Sequence, residues 1–200
     1  MNSEFEYYLI GSDYKPTTPL LRSVDGQSLR FLHKVEPVEE FDEPIRLCFN
    51  KPYPKKVIMT DYHSLPESVV SPKISDVLKP MDIYGIQLLP AEIRNNKTNE
   101  IYPDYHLIFV YNRIRCLDMT HSNYATTLEG RVTAITNAFL DKEILSKIPL
   151  EKRLIFLLSE ASSMEIYHKS VVDAVLAANP EGVVFTPIEE WYEGVQFEKD

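Results

Sequence analysis

The sequence predicts an α+β fold, a mixed and largely antiparallel sheet with a few short helices. Short alternating or apolar runs such as "FEYYLIG" and "KRLIFLLSE" read as strands. A helix-turn-strand pattern in "SPKISDVLKPMDIYGIQLLPAE", residues 71–92, has a faint echo in "HKSVVDAVLAANPEGVVFTPIE", residues 168–189. Helices and strands do not alternate regularly enough for a doubly wound nucleotide-binding sheet.

Taken in order, "FEYYLIG" mixes aromatic and β-branched residues and closes at Gly11, the signature of a strand. Pro16, Pro19, Pro37, Pro44, Pro52 and Pro54 then break up ladders and helices, so only short strands around "SLRFL" and "IRLCF" are expected among loops. "KKVIMTDY" reads as a strand, and "ESVVS" extends the sheet. In the first repeat unit Ser71 is placed to cap a helix and Pro72 suits its first position. Ile74, Val77 and Leu78 share a face, Pro80 ends the helix and Gly85 turns the chain into "IQLLPAEI", with Pro90 near the strand's end. "YHLIFVYNRIRCLDM" starts as a strand apolar enough to be central and finishes in a polar turn near His121 and Asn123. "RVTAIT" is a strand, "DKEILSK" a short helix capped by Asp141, and "KRLIFLLSE" a strand. In the echo Val171, Ala174 and Val175 form the inward stripe before "GVVFTPIE". The two copies share Asp76/Asp173, Gly85/Gly182, Pro90/Pro187 and Glu92/Glu189. The Gly and Pro stand where backbone geometry demands them, which marks a packing unit used twice.

Two hundred residues at 44% apolar content suffice for one substantial core or two small ones. Residues 1–56 form an N-terminal strand and proline-rich loop segment, and 57–200 an α+β domain holding both repeat units; one compact domain is the alternative. With 30 acidic against 21 basic side chains, a net charge of −9, the chain repels phosphate backbones and attracts basic partners. Nucleic acid is therefore not an expected partner. Two cysteines without a CxxC pair fit a reducing, cytoplasmic setting. The N-terminus carries acids where an export signal needs basic residues, and "LIFVY" and "LIFLL" fall far short of the ~20 residues of a membrane helix.

Chemistry is sparse. His33, His63, His106, His121 and His168 lack any metal-binding spacing, so no metal or other cofactor is expected. Glycine-rich phosphate cradles and GxSxG are missing, and Cys116 reads as a buried, inert thiol. Glu92 with Asp104 or Asp118 is an imaginable acid/base pair, with solvated surface acids as the plainer reading. No catalytic residue is singled out, and the chain reads as a non-enzyme.

The most informative charge run is "EPVEEFDE", which gathers Glu36, Glu39, Glu40, Phe41, Asp42 and Glu43 without a basic residue. Phe41 among carboxylates resembles an interface anchor with a charged rim, although a solvated loop has this composition too. The tail "EEWYEGVQFEKD" repeats the theme with Glu189, Glu190 and Glu193 around Trp191, which either anchors a partner or packs on the body.

In "ESVVSPKISDVLKPMDIYGIQLLPAEI", "YHLIFVYNRIRCLDMTHS" and "LIFLLSEASSMEIYHKSVVDAVLAANPEGVVFTPIEEW" the chain resembles bacterial immunity protein family eleven of the polymorphic toxin systems. The resemblance spans about residues 57 to 191 and lies in the order and spacing of helix, glycine and apolar-Pro strand. It departs where Pro72 and Pro80 bracket a short helix, and where His168 replaces the opening serine. It implies a cytoplasmic protein that binds and neutralises a cognate toxin by stoichiometric occlusion. Such toxins are often nucleases delivered by contact-dependent or type VI secretion. A hydrolase or modifying enzyme, or a small-molecule binding domain, is the alternative.

Overall fold

The computed structural model describes residues 3–24, 29–39 and 43–194. In chain order the elements are β1 (Tyr7–Ser12), β2 (Leu21–Ser23), β3 (Ile45–Phe49), β4 (Tyr62–His63), β5 (Val69–Val70), α1 (Pro72–Leu78), β6 (Ile86–Arg94) and β7 (Ile101–Val110). They continue with β8 (Arg113–Ile114), β9 (Asn123–Thr126), β10 (Val132–Asn137), α2 (Lys142–Ser146), β11 (Ile155–Leu158), β12 (Ala161–His168), α3 (Lys169–Ala177) and β13 (Val183–Pro187). Among the described residues the strands form a five-stranded sheet ordered β13-β1-β12-β11-β8, a six-stranded sheet ordered β2-β3-β6-β7-β5-β4, and a separate β9–β10 ribbon. Most neighbours are antiparallel, with β3/β6 and β8/β11 parallel, so the fold is the expected α+β type.

Both large sheets are buried on both faces, which explains their unbroken apolar runs. In β11, Phe156 and Leu158 face one core, lined also by Leu9, Leu145 and Ile188. Ile155 and Leu157 face a second core shared with Ile74, Leu78, Val171 and Val175 of the two helices. In β7, Ile108 and Val110 enter that same shared core, while Leu107 and Phe109 enter a third with Leu47 and Ile93. Helices α1 and α3 thus contribute to the core between the two sheets.

The repeat is a split β-α-β unit. Strands β5 and β6 both pair antiparallel with β7, so α1 crosses over the strand that separates them. Strands β12 and β13 likewise flank β1, and α3 crosses over it. Pro72 opens α1 at a position that needs no backbone donor, and Ile74 and Leu78, one turn apart, are buried together. In α3 the buried stripe is Val171, Val172 and Val175, with Val172 replacing the expected Ala174. Each fully buried valine contributes about 1.5–3 kcal/mol. After each helix a glycine turns the chain: Gly85 has φ 81° and Gly182 φ 79°. A Cβ at Gly85 would lie 2.1 Å from the Asn112 Cβ, and one at Gly182 2.5 Å from the Thr60 Cβ. Gly182→Ala is expected to cost at least about 1–2 kcal/mol from the left-handed backbone alone; a denaturation midpoint equal to that of the parent would contradict the assignment.

Asp61 fastens the two units together. Its Oδ1 accepts from Ser71 Oγ at 2.6 Å, its Oδ2 accepts from the Glu181 amide at 2.7 Å, and Lys73 Nζ lies 3.0 Å away. Burial pushes its carboxyl up, but these donors outweigh it and hold the group below the usual carboxylate range. Ser71 is thereby spent on Asp61 and makes no side-chain cap, contrary to expectation. Asp141 does cap α2, accepting from the amides of Glu143 and Ile144 at 2.9 and 3.0 Å.

Other expectations give way to tertiary context. In place of a strand at "SLRFL", Arg30–His33 form a 3₁₀ turn, because Leu29, Phe31 and Leu32 pack on the third core and Phe31 meets Phe109 edge-on at 5.7 Å. Of "KKVIMTDY" only Tyr62 enters a strand. The Ile58 amide donates to the Thr17 carbonyl, and Thr60 Oγ1 to the Tyr62 carbonyl, so this stretch finds partners in loops. Pro90 sits in mid-strand; β3 joins β6 only from Ala91 onward, so Pro90 has a partner strand on one side alone. Strands β2, β9 and β12 have no counterpart in the sequence pattern. Asn123 lies in β9, beyond the polar turn.

Candidate partner-binding groove

The chain after β13 is tied to the ribbon and does not hang free up to Gly194. Ile188 is buried in the first core and Trp191 packs half-buried against it. Asn137 Nδ2 donates to the Trp191 carbonyl at 3.0 Å, and the Glu193 amide donates to the Thr136 carbonyl at 3.0 Å. Trp191 therefore packs on the body, yet it also lines a groove of about 760 Å³ between the ribbon and the five-stranded sheet. The groove floor comes from β1 and β12, one wall from residues 132–135 of β10, and its ionisable carboxylates are Glu160 and Glu193; among the described residues no Lys or Arg lines it.

Strand pairing explains why a groove forms there. Strands β1 and β12 are paired from Tyr7↔His168 to Leu9↔Ile166. Beyond Leu9, β1 continues with β13 alone, from Ile10↔Phe185 to Ser12↔Val183, while β12 follows β11 through a register shift between Leu157 and Leu158. The two strands part, and the opening is the groove. Glu160, in the turn between β11 and β12, accepts from the Leu117 amide at 3.4 Å through Oε1. Its Oε2 is buried without a hydrogen-bond partner among the described residues. Such an oxygen carries a desolvation cost of about 1–3 kcal/mol or more until a donor reaches it.

A second groove, of about 470 Å³, is lined by Phe5, Tyr8, Pro187, Glu189 and Glu190 together with Lys142. Glu189 pairs there with Lys142 at 3.0 Å, both exposed, so that ion pair contributes little. Glu189, Glu190 and Glu193 are all exposed.

The N-terminal acidic run lies beside the other sheet. Gln87 of β6 clamps it: Val38 N donates to Gln87 Oε1 at 2.8 Å, and Gln87 Nε2 donates to Val38 O at 2.9 Å. Val38 packs on the third core while Glu36, Glu39 and Glu43 are exposed. Glu40, Phe41 and Asp42 lie outside the described residues.

Sequence reasoning missed a half-buried carboxylate at the junction of the sheets. Ser68 Oγ and Tyr167 Oη donate to Glu165 Oε2 at 2.9 and 3.0 Å, and Tyr62 Oη lies 3.0 Å from Ser68 Oγ. Burial raises the Glu165 carboxyl to about 7, against the lowering effect of both hydrogen bonds. None of these four residues lines either groove. The only sequence cue is the alternation of "SMEIYH", where Met164 and Ile166 face the first core and Tyr167 the second, placing Glu165 on the inter-sheet side.

Asp118 does not approach Glu92 in any hydrogen bond described. Its Oδ2 lies 2.7 Å from His121 Nδ1, and His121 first, then the amides of Thr120 and His121, hold its carboxyl below the usual range. Cys116 is fully buried, and burial pushes its thiol well up, with Glu160 and Asp141 adding to the effect. Among the described residues no group of three His, Cys, Asp or Glu side chains is placed to hold a metal, and no helix is long and apolar enough to cross a membrane.

No curated protein matches the chain. Residues 9–190 match the family model described as Immunity protein family (Imm11), which takes in both helices of the split β-α-β units and nearly all of both large sheets. The chain belongs to the Imm11 immunity protein family.

Proposed function

We propose that this chain protects a bacterial cell by binding one cognate toxin domain and silencing it through occlusion, with no bond made or broken. The family match over residues 9–190 carries this reading. Charge supports its chemistry: a protein with net charge −9 and exposed carboxylates at Glu36, Glu39, Glu43, Glu189, Glu190 and Glu193 is drawn to a cationic surface. A nuclease must present such a surface to phosphates, and a toxin of that kind, delivered by contact-dependent or type VI secretion, fits best. The protected compartment is the cytoplasm, where such a toxin would act.

Glu165, with a carboxyl near 7 beside two tyrosines, is the feature that would favour an enzyme. Its position outside both grooves argues for a structural role instead. The test is to purify the chain with the toxin domain encoded beside it. Co-elution and loss of toxin activity are expected, and raising salt from 50 to 500 mM should slow association at least about tenfold. Charge reversal of Glu189, Glu190 and Glu193 together, or of Glu36, Glu39 and Glu43 together, should weaken protection. Separate elution with the toxin fully active would end this reading.

A further inference from the structure

We propose that the groove where β1 and β12 part receives an extended segment of the toxin, and that this segment brings an Arg or Lys side chain to Glu160. The inference rests on the toxin-binding reading above and names one surface that takes part in the binding.

Three observations converge on this occupant. First, the groove holds the residues of two strands that have left each other: Ile10 and Ser12 on one side, Ala161 and Ser163 on the other. Strands that separate leave ladder positions for an incoming extended chain, the most economical way for a sheet to recognise a peptide. Second, the charge of the groove is one-sided, with Glu160 and Glu193 and no basic residue among the described residues that line it. Third, Glu160 lines the groove and its Oε2 is buried and unpartnered, so a cationic donor that draws the carboxylate round toward the groove removes a cost the free protein bears. Met164 and Trp191 give the methylene stem of a long basic side chain an apolar surface to lie along while its head meets the carboxylate. A volume of about 760 Å³ lies within the range that encloses a ligand of several side chains.

The experiment titrates the toxin domain encoded beside this gene, inactivated at its own active site, into the wild-type chain, Glu160→Gln and Ala134→Arg. Ala134 is exposed on the groove wall, so its arginine adds bulk and like charge toward the incoming segment without touching the core. If Glu160→Gln fails to fold because the Leu117 contact is weakened, Ala134→Arg still gives the answer. Both variants are expected to bind at least about 30-fold more weakly, while exposed Glu151→Gln binds as the parent does. In the wild-type complex, amides of residues 10–12 and 161–164 should exchange more slowly than in the free chain. Undiminished affinity in Ala134→Arg, with wild-type binding intact, would overturn the groove assignment and leave the toxin-binding reading standing. Failure of the wild-type chain to bind would remove that reading, and the groove assignment with it. A wild-type dimer that Ala134→Arg converts to a monomer would show that a second copy is the occupant, and would overturn the proposal.

Discussion

Replacing Arg153 by alanine is expected to cost about 3–5 kcal/mol of folding stability, the scale seen when one member of a buried charged network is removed. Arg153 is only 1% exposed, the largest side chain among those fully buried. Its guanidinium gathers the N-terminal segment onto the body: Nε donates to the Ile148 carbonyl at 2.8 Å, Nη1 to the Glu4 carbonyl at 2.9 Å and to the Tyr7 hydroxyl, and Nη2 to Glu4 Oε1 at 2.9 Å. Phe5 packs over the guanidinium at 5.2 Å. Alanine would leave two carbonyls and a tyrosine hydroxyl without this donor, and a void in place of the side chain. The melting temperature should fall by roughly 10 °C. Arg153→Met, which fills the space without donating, should recover only part of the loss. A fall of less than about 1 kcal/mol in Arg153→Ala would show that the network is dispensable.

Glu165→Gln should change how stability depends on pH. The folded-state carboxyl lies near 7 against an ordinary value of 4.5, so the folded chain holds a proton there that the unfolded chain has released. Stability from this group is complete below about pH 4.5 and is lost as pH rises through 7. His63, 3% exposed, is shifted by burial from 6.5 to about 4, and its contribution has the opposite sign: present above 6.5 and lost as pH falls through 4. Between about pH 4.5 and 6.5 the two slopes oppose and nearly cancel. Gln keeps an acceptor for Ser68 and Tyr167 and removes the titration. The variant should match the parent near pH 4.5 and exceed it by about 3 kcal/mol at pH 8. Parallel denaturation profiles for the two proteins across that range would contradict the assignment.

Where burial on both faces dictates composition, the fold is legible in the sequence. "IRLCF" is β3 residue for residue, and "LIFVY" and "LIFLL" mark central strands because alternate side chains enter different cores. The echo between residues 71–92 and 168–189 is a repeated packing unit, and its shared glycines are the left-handed turns after α1 and α3. Strand β12 is masked in the sequence by its polar residues: Glu165 meets Ser68 only across the fold, while Tyr167 bonds Glu165 and His168 the Ser170 amide close by in the chain. The exposed acids of the tail were readable as such, but the groove beside them was not. It arises from the parting of β1 and β12, some 150 residues apart in the chain, and Glu160 carries no local mark of its place in it.

Occlusion without turnover is tested most directly by titrating the activity of a fixed amount of the neighbouring gene's toxin domain with increasing amounts of this chain. Toxin activity should fall linearly to a plateau at one equivalent, and the end point should stay there however long the mixture stands. Full loss of toxin activity at a small fraction of an equivalent, deepening with time, would mean that the chain acts by turnover.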